Sequence, residues 1–386
     1  MKIKLMKKIR IIYFVFLLLF LSCDNENYPL RSEPYSLITV DIGEVRDLDY
    51  SESKKQLFVG TESEGIYIFG IDSISLNEND ITLFGDDILT TLYENIDWGI
   101  GKDIRSIQYS EKTDILYALD RFEYTYHNYV PYLLGNTNSL GSSCPDTLIT
   151  NICAATQTHA TKFALDDSGD WPELHILYKH NADNELYTEE SYSIITLMEY
   201  IFPPQQTLEF CDFIGVCENE SISFLDTLGY KVNDMYFSED KIYIANPRDN
   251  VNSFEIYQKQ GGLIDSFVTD SQVKSIFASN NYIVAGTQNG CYITLLEENG
   301  ISYSDDSKLK IAENFTVNDI HFDSINNKLI LSTGSDGVLV YNWDGNSFNT
   351  YEEMRLYSSY AFTARIINDV YYVATKNGLE IYNIGD

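Results

Sequence analysis

Two stretches far apart in the chain read as the same unit. Val45-Arg46-Asp47-Leu48 leads to Leu57-Phe58-Val59-Gly60-Thr61 and then Gly65-Ile66-Tyr67-Ile68-Phe69. Val317-Asn318-Asp319-Ile320 leads in the same way to Leu329-Ile330-Leu331-Ser332-Thr333 and Gly337-Val338-Leu339-Val340-Tyr341. In both, 16 residues separate the first Val from the Thr. Alternating segments rich in Ile, Val, Tyr and Phe, broken by Gly, Asn or Asp, are the pattern of strands joined by tight turns; no long helical period competes.

Working outward, Val232–Asn246, Val273–Thr287 and Ala361–Thr375 repeat the plan with a turn two residues shorter, and Ile104–Asp120 keeps the longer turn. The weakest copy begins at Ala160, passes Phe163 and the turn Asp166-Asp167-Ser168-Gly169-Asp170, and ends in Leu174-His175-Ile176-Leu177-Tyr178. The seven starts, at 45, 104, 160, 232, 273, 317 and 361, lie 59, 56, 72, 41, 44 and 44 residues apart. A period in the low forties is that of a four-stranded propeller blade. The expectation is an all-β, seven-bladed β-propeller, with six or eight blades left open. From Ala361 too little chain remains for a whole blade, so Tyr35–Ile42 is expected to pair with Leu379–Ile384, covering the last edge and closing the ring.

These strand motifs, with the ending Gly378-Leu379-Glu380-Ile381-Tyr382-Asn383-Ile384, resemble the LVIVD-type propeller repeats of bacterial surface proteins. The resemblance implies the fold and says little about activity, because propellers host enzymes, receptors and scaffolds alike. The last strand lacks the Val-Asp ending of that family, and the second and third blades carry long excursions.

The chain begins with Lys2, Lys4, Lys7, Lys8 and Arg10, then an apolar run from Ile11 to Leu21, then Ser22 and Cys23. That is the layout of a secretory signal, too short for a spanning helix. Leu19-Phe20-Leu21-Ser22-Cys23 resembles the lipobox of bacterial lipoproteins, which implies lipid attachment at Cys23 and a membrane contact through that anchor. An ordinary signal peptide with an incidental Cys23 is the alternative. The segments are then 1–22 as signal, 23–34 as an acidic tether, and 35–386 as one propeller domain with insertions near 122–158 and 179–230. The acidic residues after Cys23 resemble surface-sorting signals of Bacteroidota lipoproteins. The address is therefore an outer-membrane lipoprotein, facing either the periplasm or the outside.

With 26 Lys and Arg against 58 Asp and Glu, the 386-residue chain carries a net charge of −32. Loss of residues 1–22 removes five basic and no acidic side chains and leaves −37. Such a surface repels phosphate backbones, so nucleic acid is excluded as a general partner, while basic protein patches, glycans or divalent cations remain.

Of the other cysteines, Cys144, Cys153, Cys211 and Cys217 fall in the two insertions, and in an exported protein the nearest pairing joins Cys144 to Cys153 and Cys211 to Cys217. Their spacing does not suit zinc. Cys291, in an alternating strand, reads as buried and unpaired. Tyr124, Tyr126, Tyr129 and Tyr132 form an aromatic cluster that would stack on sugar rings, anchor a peptide or simply cover a blade edge.

Asp47, Asp234 and Asp319 share one repeat position, taken elsewhere by Ser106, Ser275 and Thr363, and by Lys162 in the weak copy. Short polar residues recurring there are expected to bond backbone groups in turns between blades. A ring at the channel mouth that binds a cation such as calcium is the functional alternative. Asp166, Asp167 and Asp170 read as a solvated turn, since they lack a full calcium loop. No local hydrolase, zinc-protease or P-loop motif occurs. The sequence thus points to an envelope-anchored binding or scaffold module without a cofactor. The rival is a propeller enzyme, a glycan lyase or lactonase-like hydrolase with a metal-assisted site in the channel.

Overall fold

The computed structural model describes residues 35–71, 104–112, 115–122, 128–134, 158–166, 173–180, 191–197, 220–221, 232–238, 240–248, 251–259, 262–296 and 308–384. The chain divides into two units, Ser36–Asn383 and a small one of Met1–Tyr35 with Ile384–Asp386. In the small unit only Tyr35 and Ile384, the ends of two strands, are described. The large unit is all-β.

The strands, in chain order, are β1 (Tyr35–Val40), β2 (Val45–Ser51), β3 (Gln56–Thr61), β4 (Ile66–Gly70), β5 (Ile104–Ser110), β6 (Ile115–Phe122) and β7 (Asn128–Leu134). Next come β8 (Thr158–Asp166), β9 (Glu173–His180), β10 (Ser191–Leu197), β11 (Glu220–Ser221), β12 (Asp234–Ser238), β13 (Lys241–Ala245), β14 (Ser253–Gln258) and β15 (Leu263–Val268). Then follow β16 (Val273–Ala278), β17 (Tyr282–Thr287), β18 (Gly290–Leu295), β19 (Lys308–Ile311), β20 (Asp319–Asp323), β21 (Lys328–Ser332), β22 (Val338–Trp343) and β23 (Thr350–Leu356). The last are β24 (Ala361–Ile367), β25 (Val370–Thr375) and β26 (Gly378–Ile384).

Among the described residues they form seven sheets. Two are three-stranded, β2-β3-β4 and β5-β6-β7. Four run through consecutive strands from β8 to β23, four to a sheet. The seventh has the order β1-β26-β25-β24, so the first described strand stands beside the last described one. The third sheet takes β10 and β11 from within the expected insertion 179–230, and the second takes β7 from within 122–158; parts of both insertions are therefore sheet.

One device recurs at the second turn of the unit. A Thr ends the second strand, and its hydroxyl donates to the carbonyl of the Gly that opens the third. Thr61 reaches Gly65 at 2.9 Å, Thr287 reaches Gly290 at 2.9 Å, Thr333 reaches Gly337 at 2.8 Å and Thr375 reaches Gly378 at 2.8 Å. Glycine is obligatory at two of these positions. A Cβ on Gly337 would lie 2.1 Å from the Leu356 carbonyl of β23, and one on Gly378 would lie 2.1 Å from the Val40 carbonyl of β1. Both also have φ in the left-handed region, +83° and +124°. β1 therefore passes β26 as β23 passes β22, with the same close backbone approach.

The sheets pack face on face. Val45, Leu48, Leu57 and Val59 of the first sheet share a core with Ile367, Tyr372, Ala374, Leu379 and Ile381 of the seventh, with Ile38 and Val40 of β1 packed against it. Similar cores join the third sheet to the fourth, the fourth to the fifth and the fifth to the sixth. Each fully buried Val, Leu or Ile of these interfaces stabilises by about 1.5–3 kcal/mol. The innermost strands pack in succession, β2 on β5, β5 on β8, β8 on β12, β12 on β16, β16 on β20 and β20 on β24, and β24 packs on β2.

Candidate functional site: a charged cluster on the inner strands

The shared polar position lies just inside the innermost strand of each sheet. In β2, β5, β8, β16 and β24 the register slips by one residue immediately before it, a bulge at Arg46, Arg105, Thr161, Lys274 and Phe362. A bulge inserts an unpaired residue and re-aims the side chains around it.

The three aspartates each reach forward to the next sheet. Asp47 accepts from the Ser106 hydroxyl at 3.0 Å and the Ile107 amide at 2.9 Å, and from the Leu48 amide of its own strand at 2.9 Å. Asp234 accepts from the Ile276 amide at 2.9 Å and the Met235 amide at 2.8 Å. Asp319 accepts from the Thr363 hydroxyl at 2.6 Å. Each of the three aspartates therefore faces a Ser or Thr strand, and its partners are amides and hydroxyls of the neighbouring sheet, with an amide of its own strand at Asp47 and Asp234, where the sequence led us to expect turn backbone.

Two cations complete the cluster. Lys162 pairs with Asp234. Arg365 donates through Nη1 to Asp319 at 3.1 Å, to the Thr363 hydroxyl at 2.7 Å and to the Ala364 carbonyl at 2.9 Å. Asp49, two residues beyond Asp47, accepts from the Tyr109 amide at 2.6 Å, and Gln108 in turn accepts from the Leu165 amide at 2.6 Å.

Four carboxylates thus share two cations. Burial raises Asp47, with Arg365 opposing and Asp319 reinforcing the rise. Burial likewise raises Asp49, to about 6, against the Tyr109 amide and Arg365, and raises Asp234 against Lys162. Burial alone would lower Lys162, but Asp234, Asp319 and Asp47 outweigh it and hold the ammonium charged. In Asp47, Asp49 and Asp234 alike the largest cause is burial, which disfavours the charged carboxylate. His321 is lowered to about 3 by burial and then by Arg365, so its imidazole is neutral.

The sequence identified Asp47, Asp234 and Asp319 with their hydroxyl counterparts, and the structure brings each to its neighbour. It missed Asp49, Gln108 and Arg365. All three stand two residues after the shared position, on the same strand face, at an offset where residue type does not recur. Asp166 is buried in β8 and paired with Lys259, linking the third and fourth sheets; Asp167 and Asp170 lie outside the described residues. Tyr129 and Tyr132, of the expected aromatic cluster, stand in β7 opposite Arg121 and Ala118, within a strand of the second sheet. Tyr124, Tyr126, Cys23, Cys144, Cys153, Cys211 and Cys217 lie outside the described residues. Cys291 is free and buried, as its strand position suggested. Among the described residues no group of three or more His, Cys, Asp or Glu is arranged to hold a metal ion.

The fold and its inner cluster define a propeller-like all-β protein whose sheets are stitched by carboxylates. No family model matches the chain, and no curated protein matches it. Among solved structures, a WD40 propeller in the crystal structure of the mitotic checkpoint complex is similar, with a TM-score of 0.56 and 9% identity over 94% of this chain and 95% of that one. The computationally designed Ika8 protein is similar with a TM-score of 0.50 and 11% identity, over 90% of this chain and 98% of that one. At such identities the likeness is one of fold alone.

Proposed function

We propose that the protein is an exported lipoprotein of the LVIVD-type propeller class, whose seven blades close into a ring and serve as a rigid scaffold that binds a partner protein or ligand at the bacterial envelope. The observation that carries this reading is the use made of the inner position. Asp47, Asp234 and Asp319 are each engaged in holding the next sheet, so the polar equipment that recurs from unit to unit serves architecture. Recognition then falls to connections that vary between units without breaking the frame.

The succession of inner strands from β2 to β24 and back to β2, with β1 beside β26, supports a closed ring of seven. The basic start, apolar run and Cys23 support the anchor. A mature charge of −37 favours basic protein patches or divalent cations as partners over nucleic acid.

Two experiments test the two halves. Cells fed radioactive palmitate label the wild type and leave Cys23→Ser unlabelled; an unlabelled wild type defeats the anchor. Photo-crosslinkers placed within 122–158 and 179–230, and for comparison at exposed Tyr351 on β23, are expected to capture a discrete partner from the insertions alone. Equal capture from Tyr351, or none from either insertion, would sink the scaffold reading.

A further inference from the structure

Two residues beyond the shared polar position the units stop resembling one another. On the same face of the inner strands stand Asp49, Gln108, His321 and Arg365, the rings of Tyr236 and Phe277, and in the third sheet only Ala164. All but Ala164 keep partial exposure although they lie on the innermost strands. Arg365 of the seventh sheet acts through its charge on Asp49 of the first, Tyr236 of the fourth and His321 of the sixth, so these strands surround a common space. Much hydrogen-bonding capacity there is left over. All three hydrogen bonds of Arg365 leave from Nη1, and Gln108 uses only its oxygen. The Arg365 Nε and Nη2, the Gln108 amide nitrogen, the Tyr236 hydroxyl and the His321 imidazole have no hydrogen-bond partner among the described residues. None of these atoms is sealed from solvent either. Interior polar groups of that kind line a wet space. On β12 and β16 the Tyr236 and Phe277 rings, 5.0 Å apart and tilted by 58°, give it an apolar wall.

We propose that the space the inner strands enclose is a binding site for one neutral sugar ring, seated against Tyr236 and Phe277 and held through its hydroxyls by Gln108, His321, Arg365 and Asp49. The surrounding charge selects the class. Asp47, Asp49, Asp234 and Asp319 outnumber Lys162 and Arg365 and turn an anion away. An ammonium ligand would set its donors against the Arg365 and Gln108 donors. A hydroxyl meets both conditions, because it accepts from Arg365 or Gln108 and still donates to the Asp49 carboxylate. The C–H face of a pyranose suits the aromatic wall. An apolar wall with a few convergent polar groups is the usual form of a small-ligand site. The inference rests on the closed ring of inner strands proposed above, and it adds a small-molecule site to the partner-binding connections.

Saturation-transfer NMR of the full chain with D-glucose, D-galactose and N-acetyl-D-glucosamine, and with D-glucuronate as the anion, tests it. At least one neutral sugar is expected to receive saturation, strongest at its ring C–H protons, and glucuronate to receive less. His321→Leu takes away hydrogen-bonding groups that no described residue uses, and Phe277→Leu keeps an apolar side chain without the ring. Each should weaken sugar binding by at least about fivefold. Tyr351→Ala, at an exposed site on β23, should leave it unchanged. Saturation of none of the three neutral sugars, saturation of glucuronate above all of them, or affinity unchanged in both His321→Leu and Phe277→Leu overturns the proposal. Should neither variant fold, the histidine ring resonances of the wild type decide. The sugar should shift the one that stays neutral through mild acid, as burial and Arg365 make His321, and an unmoved resonance overturns the site. Hydrogen exchange keeps the two readings apart: an unprotected Ser36–Val40 removes the ring and the site with it, whereas a protected Ser36–Val40 with no sugar bound removes the site alone.

Discussion

The seams that follow an aspartate strand and those that follow a hydroxyl strand are built differently. From β2 to β5, β12 to β16 and β20 to β24 a carboxylate crosses forward, at 2.6–3.0 Å, to an amide or hydroxyl of the next sheet. From β16 to β20 the crossing is a Ser275 hydroxyl 3.4 Å from the Val317 carbonyl, and from β5 to β8 it is the neutral Gln108 side chain. From β24 to β2 the contacts named are apolar core and Arg46 stacked 4.6 Å over Phe362, with Arg365 acting on Asp47 and Asp49 through its charge. The difference teaches that the carboxylate hydrogen bonds to backbone and hydroxyl groups of another sheet run forward along the chain, while the two cations tie neighbouring inner strands. Each aspartate anchors the sheet ahead of it, Asp234 also holds Lys162 of the sheet behind, and one arginine serves the acids on both of its sides.

Breaking the cationic side gives the largest effect. Arg365→Met removes the cation that pairs with Asp319 and acts on Asp47 and Asp49, and should cost about 3–4 kcal/mol in urea unfolding, the lower part of the range for a buried ion pair because Arg365 and Asp319 keep some exposure. Asp234→Ala comes next. It leaves the Ile276 and Met235 amides without their acceptor and Lys162 unpaired, and should cost about 3 kcal/mol. Gly378→Val sets a side chain against the Val40 carbonyl and should cost about 2 kcal/mol while freeing β1, read as faster amide exchange confined to β1 and β26. Ser275→Ala, on a hydroxyl seam, should fall within about 0.5 kcal/mol of wild type, because its bond is long. A Ser275→Ala loss as large as that of Asp234→Ala would erase the distinction between the seams.

The sequence made the repeat legible because each unit carries its own strand alternation and four of them, at Thr61, Thr287, Thr333 and Thr375, carry a Thr–Gly turn. Asp47, Asp234 and Asp319 were legible for the same reason, a shared offset from the unit start. Arg365 was not. Its partners Asp319, Asp47 and Asp49 belong to other units, and only the stacking of strands brings a residue near the end of the chain to two near its beginning. Asp49 stood at an offset where the other units place Gln108, Ala164, Tyr236, Phe277, His321 and Arg365, so no recurrence of residue type marked it. β7, β10 and β11 were hidden because the segments that hold them depart from the period. The bulges at Arg46, Arg105 and Lys274 were hidden too, since one unpaired residue changes the register without changing the spacing between units.

The account depends most on the first strand completing the last sheet. Hydrogen exchange of the full chain, followed by mass spectrometry, measures this directly through Ser36–Val40 against Tyr351–Leu356 of β23, which holds the equivalent place in the sixth sheet. The account predicts protection of the two segments within about tenfold of each other. Exchange of Ser36–Val40 at the rate of an unstructured peptide, with β23 still protected, would contradict it.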